Sequence, residues 1–392
     1  MKQNNTADIV IIGGGIIGCS TAYNLANQGA KNVVVLEKGE LCSGGTAKSC
    51  AITRSHYSIE ANVHHAVESV KIFENFDDMV GGDPRFTCTG QLVLGQEKHR
   101  PVMERVFCTQ NKYGSETQTL TPAEAAKLHP LLQFEDVDVI GFESRSGYCD
   151  PYLTTIAYAK RAKDLGVKFY TGTPVTGIRI NGVNKTIETR RSDFECSTLI
   201  LAAGPWTHNL GKMLGIKFPY EISKHKVLTL KIDIPYEKDW PIVKDLLTPE
   251  KIYFRPDAGG VVLVGTGDQG DPVNNVEEMT NDVEMEHIER IGKLMANRMP
   301  AFAEAKLVRS WTGPYDIPPD WNPIIGPVPK LEGVRVAAGF SGHGFKLAPT
   351  VGESLAQQIL GTNPRVPIDM YDMTRFETGK TLNGAYGIGT FA

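Results

Sequence analysis

The sequence predicts an α/β fold in which one α/β unit is interrupted by a second, mixed α+β unit. Three observations carry this. The chain opens on a strand, a glycine turn, a helix and a second strand, DIVIIGGGIIGCSTAYNLANQGAKNVVVLEKGE. A second glycine-rich turn joins an apolar run to a helix near the end, GVRVAAGFSGHGFKLAPTVGESLAQQIL. Between them lie stretches whose apolar residues alternate or cluster as strands do. A chain of 392 residues also exceeds the usual size of a single growing core, so two domains are the natural expectation.

Taken in order, Asp8 to Ile12 form a short β-rich run, and residues 17–28 read as a helix. Gly13, Gly15 and Gly18 between and within them fit G-x-G-x-x-G, and the following NVVVLE strand ends in Glu37. Gly13 permits the turn, Gly15 lets a pyrophosphate approach the backbone, and Gly18 lets the helix pack on the sheet. Glu37 can accept bonds from ribose hydroxyls, so the whole unit reads as a dinucleotide-binding fingerprint. Nicotinamide and flavin dinucleotides share that fingerprint. The polar, Gly-rich loop at 40–51 can wrap a cofactor extending past the sheet edge, or serve as an ordinary surface loop. Arg54 follows it as a candidate inward-facing cation.

Residues 60–80 have helical spacing at Val63, Val67, Val70, Phe73 and Phe76, and GQLVLG at 90–95 reads as a strand. Thr121, Pro122 and Glu124 form a helix-start signature. Residues 151–165 read as a helix. VKFYTGTPVTGIRI and TIETRRSDFECSTLILAAG read as paired strands ending in Ala203 and Gly204, before a short helix at PWTHNLGKMLG. The stretch 224–270 is strand-rich, 282–299 helical, and LVRSWTGPYDIPPDWNPIIGP an extended, Pro-rich passage. The late glycine turn then returns to the first sheet. This assigns 1–81, 146–219 and 326–392 to the first domain, and 82–145 and 220–325 to the second.

A net charge of −4 with no basic stripe argues against nucleic-acid binding. No apolar segment is long enough for a membrane span, and the opening residues lack a secretory pattern. Seven scattered cysteines without a CxxC pair fit a reducing, cytoplasmic setting and no structural zinc. No His/Cys/Asp cluster resembles a metal site, and His64 and His65 read as structural residues of a helix.

The fingerprint, SGGTAKSCAITRSHY, LILAAGPWT and GFSGHGFKLAPTVGE together resemble the FAD-dependent amino-acid oxidase superfamily. Within it the chain is most similar to the sarcosine oxidase (beta-subunit-like) and dimethylglycine dehydrogenase branch. The resemblance implies a Rossmann-like FAD-binding domain interleaved with a substrate domain whose antiparallel sheet covers the flavin. Gly13, Gly15, Ile16, Ile17 and Gly18 would surround the pyrophosphate, and Glu37 would bind the ribose. Lys38, Ser43, Thr46, Ala47 and Ser49 would run along the cofactor, Val175 near the adenine, and Ala203 and Gly204 along the ADP half. Gly342, His343, Gly344, Phe345 and Lys346 would approach the flavin.

The same resemblance implies that Arg54 and Lys346 grip a substrate carboxylate. His343 would stand near the ring without acting as base, and His56, Tyr253 and Tyr315 would belong to the pocket. Gly313 falls where related oxidases carry a flavin-linking cysteine, so FAD is expected to be non-covalent. Leu263 or Val264 falls where they carry a lysine that helps oxygen react, which argues for slow oxygen use. The implied reaction is hydride transfer from a small secondary or tertiary amino acid to flavin N5, giving an iminium that hydrolyses. The electrons would pass to oxygen, a protein or a quinone. Alternatives are a glycine or proline oxidase or dehydrogenase, the flavoprotein subunit of a hetero-oligomeric electron-transfer complex, or a plain NAD dehydrogenase.

Overall fold

The computed structural model describes residues 3–387. A six-stranded sheet runs in the order Lys168–Tyr170, Val33–Leu36, Ile9–Ile12, Thr198–Leu201, Val334–Ala338, Ile324–Pro327. The first five strands are parallel and the last is antiparallel. Both faces are covered, which is why these strands are continuous apolar runs rather than alternating ones. Ile9 and Ile11 face one core with the helices Ile16–Asn27, Pro151–Asp164 and Gly344–Ile359. Val10 and Ile12 face a second core shared with a four-stranded sheet of Gln3–Thr6, Ser192–Cys196, Asn184–Thr189 and Val175–Asn181.

A nine-stranded sheet forms from the intervening segments. Its order is Asp271–Val273, Glu221–Lys231, Val261–Gly265, Tyr253–Asp257, Ile242–Asp245, Gln91–Gly95, Val139–Glu143, Thr117–Leu120. Lys306–Ile317 adds beside Glu221–Lys231, with His225 opposite Gly313 and Ser223 opposite Tyr315. Neighbours are antiparallel except where Ile242–Asp245 runs parallel to Gln91–Gly95. A small sheet of Ile52–Thr53, Gly147–Tyr148 and Thr87–Cys88 lies beside Arg54 in sequence.

Several elements differ from the sequence expectation. The passage read as extended and Pro-rich contains the twelve-residue strand Lys306–Ile317. Among the described residues it pairs on one side only, with Glu221–Lys231, so Pro314 can sit in it without breaking an inner ladder. The helix expected over 60–80 breaks at Asn75 into Glu60–Glu74 and Phe76–Met79. Arg100–Lys112 is a helix that the sequence reading did not identify; it buries Met103, Val106, Phe107 and Gln110 along one stripe. The start signature at Thr121 forms a capping box with Glu124.

Candidate active site

A cavity of about 500 Å³ extends from the opening glycine turn to the late one. At its first end the strand Ile9–Ile12 runs into Gly13, whose φ is +120°. A Cβ there would stand 2.3 Å from the Ala202 carbonyl oxygen, so only glycine fits. Gly18 is equally constrained: a Cβ would meet the Gly13 oxygen at 2.0 Å, which gives it a packing role away from the cavity. Gly15 is the N-cap of Ile16–Asn27, with no side-chain cap and no acidic residue in the first turn. That helix end therefore offers backbone N–H groups and a positive dipole end to an anion. Gly13, Gly15, Ile16 and Ile17 line the cavity there.

Glu37 lies beside them. Its two oxygens accept the N–H groups of Gly14 at 2.7 Å and Gly39 at 2.8 Å. Each carboxylate oxygen has a second lone pair, so ribose hydroxyls can still donate to it. Ser43, Thr46 and Ser49 line the wall, and Thr46 Oγ1 accepts the N–H of Ile16 at 3.2 Å. Ala47 departs from the expectation: the 3₁₀ turn Gly45–Lys48 leaves it exposed and outside the lining. Lys38 is at the rim, bonded to Glu277 at 2.7 Å and lying 4.3 Å from the Trp206 ring centre. Val175, Ala203 and Gly204 complete this end. Glycine cradle, helix terminus and acid fit the phosphate and ribose groups of a dinucleotide.

At the other end, Asp316 fixes the late glycine turn. Its carboxylate accepts Gly339 N–H at 2.6 Å and Phe340 N–H at 3.2 Å, while its carbonyl accepts Ser341 N–H at 3.0 Å. Burial pushes the Asp316 carboxyl up to about 6, against the two amides that favour its charge. Gly342 has φ +79°, and a Cβ there would lie 2.3 Å from the Tyr315 ring. Tyr315 stacks on His225 with centroids 3.7 Å apart and planes 18° from parallel. Tyr253 lies within 3.4 Å of Cys50 Sγ through its hydroxyl.

Arg54 and Lys346 both line this cavity, together with His343, Gly344 and Phe345. His343 caps Gly344–Ile359 and Lys346 follows in its first turn. Burial depresses the Lys346 ammonium well below its ordinary range, with Arg54 and Lys244 adding repulsion. Burial also lowers His343, followed by Lys346, Arg54 and Lys244. The site is thus a desolvated cluster of basic groups, whose charged forms an anionic substrate group would favour.

Arg54 is held from below. It donates to the His56 carbonyl and its guanidinium lies 4.4 Å from the Tyr57 ring centre. His56 itself is fully buried and does not line the cavity; its Nδ1 is 3.1 Å from Glu143 Oε1. Glu143 also accepts from Ser55, Gln110 and Ser146. Burial opposes its charge, but His56, Ser146 and Gln110 outweigh that and hold the carboxyl at about 2. Burial keeps the His56 ring below its ordinary value.

The sequence reading missed Lys244, His225 and Asp316, all of which line the cavity. The available signal for Lys244 was a cation inside the apolar run PIVKDLL. Leu263 and Val264 are buried in the sheet and outside the lining. Lys244, on a nearby strand, also lines the cavity. His64 stacks on Tyr113 and His65 bonds Thr350 and the Pro367 carbonyl. Among the described residues no His, Cys, Asp or Glu group is placed to hold a metal ion, and no helix is long and apolar enough to cross a membrane.

The sequence profile described as DAO, FAD dependent oxidoreductase, matches residues 8–358. The chain is 28% identical to the mitochondrial pyruvate dehydrogenase phosphatase regulatory subunit of Mus musculus, over 94% of its own length and 43% of that protein. It is 27% identical to mitochondrial sarcosine dehydrogenase of Homo sapiens, over 96% of its length and 42% of that protein. It thus spans less than half of either relative. Among solved structures, L-proline dehydrogenase from P. horikoshii superimposes with a TM-score of 0.88 at 30% identity, covering 96% of this chain and 99% of that one.

Proposed function

The chain belongs to the FAD dependent oxidoreductase family, and from that premise we propose that it oxidises a small secondary or tertiary amino acid to an iminium that water hydrolyses. The observation that carries this reading is the convergence of Arg54 and the buried Lys346 on one cavity. A guanidinium fork and an ammonium together suit a carboxylate, and fixing that group orients the carbon beside the amine. Proline, named in the structural relative, is itself a secondary amino acid and falls within the class.

Bound FAD supplies the two-electron acceptor. Gly13, Gly15 and the first turn of Ile16–Asn27 would hold its pyrophosphate, and Glu37 its ribose. Arg54 and Lys346 bind the substrate, and the Asp316-anchored turn sets where His343 and Lys346 stand. Gly313 offers no thiol and packs against Lys48, with a Cβ there only 3.1 Å from the lysine Cβ, which supports non-covalent FAD. The electrons leave to oxygen, a protein or a quinone.

The test is anaerobic reduction of the flavin across sarcosine, dimethylglycine, proline and glycine, followed by absorbance. Bleaching by one or more of the N-substituted or cyclic acids is expected. Bleaching by glycine alone would move the assignment to primary amino acids, and no bleaching by any would refute it.

A further inference from the structure

We propose that Tyr386 is a positioning residue for Arg54, acting through His56 and so setting how tightly the site holds a carboxylate. The inference rests on the amino-acid reading above and adds to it a side chain 330 positions away from His56.

After the helix Arg375–Thr378 the chain runs without regular structure to the segment that follows Arg54. Leu382 is tied down through both backbone groups. Its N–H donates to Asp320 Oδ2 at 3.1 Å, and its carbonyl accepts from Asn322 Nδ2 at 3.4 Å. A turn follows, closed by Gly387 N–H on the Gly384 carbonyl at 3.1 Å, and Ala385 N–H donates to Ser58 Oγ at 2.9 Å. That turn presents Tyr386, whose ring packs against the cluster of Val93, Met103, Phe107, Val139 and Leu246. Its hydroxyl lies 2.8 Å from His56 Nε2.

The direction of this bond follows from the far side of the imidazole. His56 Nδ1 lies 3.1 Å from Glu143 Oε1, and the Glu143 carboxylate, held ionised by its partners, can only accept. Nδ1 therefore carries the proton, Nε2 of the neutral ring is an acceptor, and the Tyr386 hydroxyl donates to it. Both ring nitrogens are engaged, which sets the orientation of the ring. Glu143 also secures the preceding residue, through Ser55 N–H at 3.1 Å.

What this clamp holds is the seat of the guanidinium. The His56 carbonyl accepts from Arg54 Nη1, and the Tyr57 ring centre lies 4.4 Å from the Arg54 guanidinium. Tyr57 in turn meets His343 edge-on, with ring centres 5.3 Å apart. A phenyl ring at 386 keeps the packing and removes only the hydroxyl. The fully buried His56 ring then loses one of its two anchors, and Arg54 a fixed support. Pairing of a guanidinium fork with a carboxylate is sensitive to such displacement.

The experiment titrates (methylthio)acetate, a non-oxidisable carboxylate, and its neutral isostere (methylthio)acetamide into the flavin-loaded protein. The flavin difference spectrum reports binding, and flavin content is equalised first. In Tyr386→Phe the acid should bind about threefold to tenfold more weakly, the scale of one hydrogen bond, with the amide unchanged. In an Arg54→Met background the same replacement should add no further loss, because its effect passes through Arg54. Acid binding equal to the parent's, an equal loss for acid and amide, or the same loss in the Arg54→Met background overturns the proposal while leaving the amino-acid reading intact. Absence of acid binding by the parent protein removes the carboxylate seat and the proposal with it, and bleaching by the amino acids then judges the oxidation separately.

Discussion

The Asp316 carboxylate receives the backbone N–H of Gly339 at 2.6 Å, joining the strand Lys306–Ile317 to the turn that carries His343 and Lys346. Removing this acceptor leaves two buried amides unpaired. Asp316→Ala should therefore lower Tm and reduce the flavin retained on purification, with about 1.5–3 kcal/mol lost for each charged hydrogen bond. Asp316→Asn, which keeps one acceptor oxygen, should fall between. Melting curves and flavin-to-protein absorbance ratios measure both effects. An alanine variant with unaltered flavin content would remove Asp316 from any part in shaping the turn.

Arg54→Met and Lys346→Met should each weaken binding of an amino acid much more than that of the matched amine without its carboxylate. Loss of one charged hydrogen bond corresponds to roughly tenfold or more in affinity. Anaerobic reductive kinetics on both compounds, with flavin content checked first, give the comparison. Equal damage to both substrates would assign the cations another task.

Glu37→Ala should reduce FAD affinity by roughly tenfold to a hundredfold, because it loses a ribose acceptor and frees Gly14 and Gly39 from their shared carboxylate. Equilibrium dialysis or fluorescence of released flavin would report this. Anaerobic reduction of the fully reloaded variant by an amino acid should match that of the parent protein.

Glu143 sets a pH dependence. Its folded carboxyl is held at about 2, below the usual unfolded value of about 4.3. The folded state therefore binds fewer protons between those values. The stabilisation is complete above about 4.3 and is lost as pH falls toward 2. Glu143→Gln should be less stable at pH 7 by about 3–5 kcal/mol, as expected for breaking a buried charged network. Melting temperatures from pH 7 to pH 3 should show the two proteins converging below about 4.3. A constant gap across that range would show that the carboxylate's charge is not what Gln removes.

The first turn of the cavity was legible because its constraints are local. Gly13, Gly15, Gly18 and Glu37 lie within one βαβ unit, and their spacing alone sets their arrangement. The approach of Arg54 and Lys346 to one cavity was readable only through family resemblance, since it depends on elements from distant parts of the chain. Lys244 and His225 depend on which face of a strand looks inward. Those strands mix charged and apolar residues, so the sequence does not say which side chains look into the cavity. The helix Arg100–Lys112 was obscured by its polar composition, although Met103, Val106, Phe107 and Gln110 carried its spacing. Asp316 looked like a loop residue because the prolines around it masked a strand.

The central strands also constrain when the cofactor can bind during synthesis. Ile9–Ile12 acquires its second neighbour only when Thr198–Leu201 is available, and that strand in turn waits for Val334–Ala338. The opening glycine turn precedes Thr198–Leu201 and Val334–Ala338 in the chain, so it is made while its sheet is still half-built. Pairings so distant in sequence close slowly. Flavin loading is therefore expected to follow synthesis of Val334–Ala338, and flavin starvation should leave chains that have passed that strand without their cofactor.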